Sequence, residues 1–226
     1  MNVRLCLLTM AFAFNPDNAV MAQPIQSPDA HLSVEVVPKE VARKCQNNSQ
    51  ETQVLFDLCA DQLALLQEAR RLAQESGKRV LVSFGADWCI WCHVFEAHAL
   101  GKYGEFTYPT EDGFWTMQEK GKGEIKAQAL ALHQFVAQNF VIVNIGQQTG
   151  DAGLAVLRQT RAEEQFSGGL PFIYVLDQDG KSAGVIKSSD VEIRRDGKDA
   201  YRGYDRVKLL AVLQSLRNAA PALAKD

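Results

Sequence analysis

The sequence predicts an α/β domain in which helices cover both faces of a mixed central sheet. Two patterns lead to this prediction. Short β-branched, apolar runs alternate with longer segments whose apolar residues recur every three or four positions. After the third run, a turn precedes a hairpin partner and a terminal helix. With 226 residues, of which 46% are hydrophobic, the chain can bury a core of this size.

The first 22 residues have the pattern of a cleavable signal peptide. Arg4 precedes an apolar stretch over residues 5–14, and Val20-Met21-Ala22 fits cleavage after Ala22. The apolar stretch is about half the roughly 20 residues that a membrane-spanning helix requires. We therefore expect a periplasmic or secreted mature protein without a membrane span.

Residues 23–52 are predicted to form an N-terminal extension or linker, and residues 53–220 the domain itself. The extension contains three prolines and little periodicity. Only residues 32–37 alternate like a short strand.

The domain is predicted to begin with a helix and a buried strand. From Gln53 onward the apolar residues keep helical spacing, and Gly77 is placed to end the helix. Residues 79–84 then form a continuous apolar run, which is typical of a strand buried on both faces.

Residues 92–100 are predicted to form the next helix, and residues 101–123 an irregular insertion after it. The insertion carries aromatic side chains at Tyr103, Phe106, Tyr108, Phe114 and Trp115. From the usual behaviour of long loops we expect these rings to pack on the domain's own surface, with a partner-recognition surface as the alternative.

The next part of the pattern is helix, strand, helix. Helical spacing covers residues 124–139 and 152–161, and the β-branched run at 140–145 lies between them.

The chain is predicted to end with a hairpin and a helix. A third strand over residues 172–176 leads through the turn Asp177-Gln-Asp-Gly180 to its partner over residues 182–187. The last helix, over residues 205–219, has Asp205 in position to cap its first turn.

The clearest chemical motif directly follows the first strand and reads Gly85-Ala-Asp-Trp-Cys89-Ile-Trp-Cys92-His93. If a helix begins near Cys89, the two cysteines share one face, with Cβ atoms roughly 5–6 Å apart, close to disulfide geometry. Cys89 then lies at the helix N-terminus, where unpaired N–H groups stabilise a thiolate. We predict that Cys89 is the attacking nucleophile and that Cys92 resolves the mixed disulfide, with no further cofactor.

Three other interpretations of this motif stay open. The pattern CxxCH also attaches c-type haem, with His93 as an axial ligand, although haem attachment needs no buried strand before it. Zinc binding by Cys45, Cys59, Cys89 and Cys92 has weak support because the second CxxC pair is missing, and no metal is predicted. A non-catalytic binding module is the third alternative, and it would not need both thiols.

The chain resembles the thioredoxin superfamily in the first strand, in the CxxC motif, in Gly168-Gly-Leu-Pro171 before the third strand, and in Asp179-Gly-Lys181. It is most similar to exported thioredoxin-like proteins with a WCxWCH motif, related to the periplasmic domain of the transmembrane thiol reductant. The resemblance implies a thioredoxin-like fold, a cis peptide bond at Pro171, and substrate contacts at Trp88, Leu170 and Pro171.

Two positions depart from cytosolic thioredoxin. The buried carboxylate that is frequent in that family falls at Ser83, and the lysine of the second strand falls at Ile142. Proton transfer at the resolving cysteine must therefore use another group or water. Asp87 and Glu96 are the candidates, with ordinary solvated acids as the simpler interpretation.

The candidate modulators also include His93, which when protonated would lower the pKa of Cys89. The simpler interpretation is a partly exposed helix residue. Ile90 and Trp91, between the two cysteines, carry no charge. We therefore expect a reductase or isomerase rather than a strong oxidant, exchanging with protein thiols and disulfides and with an upstream electron donor or acceptor.

The number of cysteines agrees with export. Cleavage after Ala22 removes Cys6 from the five cysteines, which leaves two pairs. We predict a structural disulfide between Cys45 and Cys59, and closing a loop of this size contributes about 3 kcal/mol.

The charge distribution excludes several classes of partner. A formal net charge of −3 without a local basic patch argues against nucleic acid and anionic membranes. No long heptad or large apolar extension suggests obligate assembly, so we expect a monomer.

Overall fold

The structure is a computed structural model that describes residues 32–40, 54–110, 113–119 and 124–220. Its strands are β1 (Glu35–Val37), β2 (Arg79–Gly85), β3 (Glu105–Thr110), β4 (Gly113–Gln118), β5 (Phe140–Gly146), β6 (Phe172–Leu176), β7 (Ser182–Val185), β8 (Glu192–Arg195) and β9 (Tyr201–Tyr204). Its helices are α1 (Gln62–Ser76), α2 (Ile90–Ala99), α3 (Glu124–Asn139), α4 (Asp151–Gln159), α5 (Ser188–Val191) and α6 (Arg206–Ala219). The predicted signal peptide lies outside the described residues.

Five strands form the central sheet in the order β1-β5-β2-β6-β7. β1, β5 and β2 are parallel to one another, β6 is antiparallel to β2, and β7 is antiparallel to β6. Every residue of β5 is buried, as its continuous apolar sequence predicts for a strand covered on both faces. The predicted α/β class with a mixed central sheet is confirmed.

Alternate side chains of the strands enter two separate cores. Leu81 of β2 and Ile142 of β5 belong to the core that α2, α3 and α6 cover. Val80 and Val82 belong to the other core, which α1 and α4 cover. Because successive side chains of a strand point to opposite faces of the sheet, each face has its own core and its own covering helices.

Helix ends follow the predicted capping residues, with one exception. Gly77 ends α1 in the left-handed conformation, with φ 68°, and the Asp205 carboxylate caps α6. However, α1 begins at Gln62, not near Gln53, because the Asp61 side chain accepts hydrogen bonds from the backbone N–H groups of the first turn. The prediction of helix from Gln53 is therefore wrong for residues 54–61.

The predicted N-terminal extension contributes a strand to the sheet. β1 lies inside the range 23–52 and pairs in parallel with β5, with Val36 opposite Ile142. Val37 is buried in the core. The alternation over residues 32–37 therefore marked a real strand, but this strand belongs to the sheet of the domain, which starts before the predicted boundary at residue 53.

The insertion at 101–123 is not irregular, because β3 and β4 form an antiparallel hairpin within it. Phe106, Tyr108 and Met117 are buried in the core beside α2, and Trp115 is half-buried, whereas Tyr103 is exposed. For Phe106 and Tyr108 the structure confirms that the rings pack on the domain's own surface.

A second hairpin, formed by β8 and β9, was not predicted. It packs against α2: the Tyr204 hydroxyl donates a 3.3 Å hydrogen bond to the Trp91 carbonyl, and the two rings meet edge to face. The Asp196-Gly197 pair between the two strands is a hairpin signal that sequence inspection could have used.

Candidate active site

The two cysteines of the motif lie where β2 gives way to α2. Gly85 ends the strand, and Cys89 is the N-cap of the helix. The Cys89 N–H donates to the Ala86 carbonyl at 3.0 Å, and the Cys92 N–H donates to the Cys89 carbonyl at 2.9 Å. The predicted position of Cys89 at the helix N-terminus is therefore the observed one.

The pKa values of the two thiols are shifted in opposite directions. The Cys92 thiol donates a hydrogen bond to the Cys89 sulfur, and this bond, with the backbone N–H groups of Cys92 and Trp91, lowers the pKa of Cys89 despite burial and the Glu192 charge. Burial and the hydrogen bond to Cys89 raise the pKa of Cys92. Both thiols are free and buried. Cys89 is therefore the more acidic of the two thiols.

Gly85 makes room for the inner sulfur. A Cβ atom at this position would lie 2.6 Å from the Cys92 Sγ and 2.7 Å from the Phe56 Cζ. Both contacts are closer than carbon can approach, so only glycine allows the strand, the thiol and the ring to meet here.

The residues expected to contact substrate surround the pair. The Leu170–Pro171 peptide bond is cis, as the resemblance implied. The half-buried Leu170 side chain packs against the cluster that contains Cys89 and Cys92, and Trp88 is 64% exposed. The exposed Trp88 ring thus directly precedes Cys89 in the chain, and the residue before the cis bond contacts the cluster of the buried thiol pair.

Asp87 is not the ordinary solvated acid of the simpler interpretation. Its Oδ1 accepts hydrogen bonds from the backbone N–H groups of Leu55, at 2.8 Å, and Phe56, at 3.2 Å. Burial raises the pKa of the Asp87 carboxyl, while these two hydrogen bonds act in the opposite direction. Leu55 and Phe56 form part of the site, and sequence reasoning missed them because they lie outside the motif.

Comparisons with known proteins give one family match, which covers the segment that carries the cysteines. The profile of a protein family described as thioredoxin-like matches residues 61–102, which include α1, β2 and both cysteines. Over these residues the chain is similar to that thioredoxin-like family. Among solved structures, a disulphide isomerase from Xylella fastidiosa Temecula1 is 20% identical, with 61% of this chain and 82% of that chain covered and a TM-score of 0.40. A search of curated proteins finds no match.

His93 is a buried, neutral residue rather than a partly exposed one. Its Nε2–H donates to the Asp87 carbonyl at 2.7 Å, and burial lowers its pKa. An uncharged imidazole cannot stabilise the Cys89 thiolate through charge near neutral pH. A haem iron bound at Nε2 would also have to displace the bond to Asp87.

Glu96, one turn after Cys92, has a strongly shifted pKa. Burial raises its pKa to about 7, the nearby Lys102 acts in the opposite direction, and the Asp87 charge adds to the rise. Its Oε2 is buried without a hydrogen-bond partner. Ser83 of the strand before the motif is buried and uncharged, whereas the carboxyl of Glu96 has a pKa near neutrality.

Replacing Glu96 by glutamine is expected to make stability less dependent on pH. The folded-state pKa is about 7 and the ordinary value is 4.5, so the folded wild type binds the proton more tightly and its stability falls as pH rises from about 4.5 to about 7. The full effect is about 3 kcal/mol. Urea unfolding of both proteins at about pH 4 and about pH 8 measures it, and parallel pH profiles would contradict the assignment.

The second cysteine pair is described only in part. Cys59 is disulfide-bonded, so it offers no thiolate for zinc. Cys45 lies outside the described residues, and its pairing with Cys59 stays a prediction. Among the residues that the structure covers, no group of three or more His, Cys, Asp or Glu side chains is arranged to hold a metal ion. Within the same residues, no helix has the length and apolar character to cross a membrane.

Proposed function

We propose that this protein is an exported thiol–disulfide oxidoreductase that acts on protein substrates through Cys89 and Cys92. The observation that carries the proposal is the pair of free thiols at the start of α2, with the pKa of the outer one lowered and that of the inner one raised. This difference in acidity assigns one thiol to attack and the other to resolution.

In the reducing direction the reaction has two exchange steps. The Cys89 thiolate attacks one sulfur of a substrate disulfide, and the other substrate sulfur leaves as a thiolate and takes up a proton. Cys92 then loses its proton and attacks the Cys89 sulfur, which releases the second substrate thiolate and joins Cys89 to Cys92. Two electrons pass from the pair to the substrate, and an upstream dithiol donor must reduce the pair again.

The substrate segment is proposed to lie across the mouth of the site. The exposed Trp88 ring offers an apolar contact, and the Leu170 backbone, ahead of the cis bond to Pro171, offers hydrogen bonds to an extended chain. Such a binding surface favours an unfolded or loop segment of the substrate that carries the disulfide.

Residues that take no part in the chemical step support the proposed cellular location and the proposed direction of electron transfer. The signal-like pattern of residues 1–22 and the disulfide at Cys59 both suit an oxidising compartment, such as a bacterial periplasm. Ile90 and Trp91 provide no charge to stabilise the thiolate further. We therefore assign the protein a reducing to intermediate potential, as a reductase or isomerase.

A redox titration against glutathione tests the proposal. The wild-type protein is expected to lose two hydrogens reversibly by intact mass as Cys89 and Cys92 join, at a potential well below the strong-oxidant value of about −120 mV. A midpoint near that value would overturn the assigned direction. Two thiols that never pair would overturn the exchange function, and a Soret absorption band in the purified protein would identify a haem protein instead.

A further inference from the structure

A short segment before α1 crosses the active site, and we call residues 54–60 the strap. The fully buried side chain of Gln62 fixes its end: the amide Nε2 donates to the carbonyls of Asp57, at 2.8 Å, and Ala60, at 2.9 Å. The amide Oε1 of Gln62 accepts from the Gly146 N–H at 2.8 Å. The strap is thus tied to the end of β5, next to the loop that carries the cysteines.

The strap places apolar side chains against the thiol pair. Leu55 and Phe56 are buried in one cluster with Cys89 and Cys92. The Phe56 ring and the Cys92 sulfur approach Gly85 from the same side, each within 2.7 Å of the position a Cβ would take. Phe56 therefore occupies space through which water would otherwise reach Cys92.

Asp87 is the residue that joins the strap to the active-site loop. Its carboxylate accepts from two successive strap N–H groups, those of Leu55 and Phe56. Asp87 itself is held by its backbone, because its N–H donates to the Gln148 side chain at 3.3 Å and its carbonyl accepts from His93 at 2.7 Å. The Asp87 carboxylate, which we call the latch, thus extends from a backbone held at both its N–H and its carbonyl, two residues before Cys89.

We propose that Asp87 is a positioning residue for thiol–disulfide exchange: its carboxylate fastens the strap over the active-site loop, and the fastened strap keeps water and reagents from the Cys92 thiol. The inference deepens the proposed function, because Cys92 must lose a proton before it resolves a mixed disulfide. A closed strap disfavours that loss, and an open strap favours it.

The proposal predicts that removal of the carboxylate exposes Cys92. In a Cys89→Ser background, Asp87→Ala is expected to increase the rate of Cys92 alkylation by iodoacetamide at least about fivefold, because the closed strap loses two hydrogen bonds to a charged acceptor. The pH midpoint of the alkylation profile is expected to shift downward, since Cys92 gains hydration.

Two further variants separate the latch from general destabilisation. Asp87→Asn keeps an oxygen acceptor at Oδ1, so its alkylation rate is expected to stay within about twofold of the parent. Asp205→Ala removes a carboxylate that also accepts two backbone hydrogen bonds, but from the start of α6, and is expected to leave Cys92 protected. Circular dichroism verifies that all variants are folded at the assay temperature.

Hydrogen exchange at the Leu55 and Phe56 amides provides a readout without cysteine chemistry. These amides are expected to exchange faster in Asp87→Ala than in Asp87→Asn. Equal exchange and equal alkylation in the two variants would overturn the proposal, as would a fivefold increase in Asp205→Ala.

The experiments distinguish a failure of the latch from a failure of the proposed function. If the glutathione titration fails while Asp87→Ala exposes Cys92, the exchange function falls and the latch stands. If the wild-type pair titrates while Cys92 stays protected in Asp87→Ala, the latch falls and the exchange function stands.

Discussion

Replacing Cys89 by serine is expected to lower the rate of disulfide exchange by about a thousandfold or more. The groups that lower the pKa of Cys89, which are the Cys92 thiol and the N–H groups of Cys92 and Trp91, stabilise a thiolate. A serine hydroxyl stays protonated in the same surroundings and cannot attack a disulfide at neutral pH. Turnover of a fluorescent disulfide peptide, with dithiothreitol as the reductant, measures the loss.

Cys92→Ala is the matched variant, because it keeps the attacking thiol and removes the resolving one. The first exchange step is expected to proceed and then stop, so that a mixed disulfide on Cys89 accumulates and is seen on non-reducing gels and by intact mass. Cys89→Ser should form no such adduct. If Cys89→Ser kept wild-type turnover, or if adducts formed on Cys92 with equal ease, the assigned order of attack would be reversed or absent.

The parts of the fold that the sequence predicted have strong local patterns. The spacing of apolar residues located α3 at its observed bounds, Glu124–Asn139, and the continuous run of β5 needed no tertiary information because both faces are buried. Cys89 at a helix N-terminus followed from the strand before it and the helix after it. In each case a single segment carries the whole signal.

The parts that the sequence missed depend on contacts between distant segments. His93 was expected to be partly exposed, but the β3–β4 hairpin, whose pattern was not recognised, brings Tyr108 to 6.3 Å between ring centroids. Asp87 was expected to be solvated, yet its hydrogen-bond partners lie more than thirty residues earlier in the chain. The pKa values of His93 and Asp87 depend on their burial, and this burial is produced by the hairpin and the strap, which lie far from the motif in the sequence.

A buried ion pair joins three separate segments of the chain. Arg206, in the first turn of α6, donates from Nε and Nη2 to the two carboxylate oxygens of Glu119, at 2.9 and 3.0 Å. Nη2 also donates to the Lys102 carbonyl at 2.6 Å. The side chains of Arg206 and Glu119 are only 1% and 9% exposed. The pair thereby connects the terminal helix, the end of the β3–β4 hairpin and the loop after α2.

Replacing Arg206 by methionine is expected to lower the free energy of unfolding by about 3–5 kcal/mol. The substitution leaves the Glu119 carboxylate buried without its cation, and that uncompensated charge, rather than the lost packing, carries most of the cost. Methionine keeps a long apolar side chain in the space that the arginine stem occupies. Urea unfolding at neutral pH, followed by far-ultraviolet circular dichroism, measures the difference.

The double variant Arg206→Met with Glu119→Leu decides whether the unpaired charge is the cause. Removal of both charges is expected to restore much of the lost stability, because two apolar side chains of similar volume can replace a buried ion pair at little net cost. The Arg206 Nη1 is buried without a partner, so the pair already leaves one donor unsatisfied in the wild type. A double variant no more stable than Arg206→Met alone would show that the hydrogen bond to the Lys102 carbonyl, and not the charge pair, holds α6 against the hairpin.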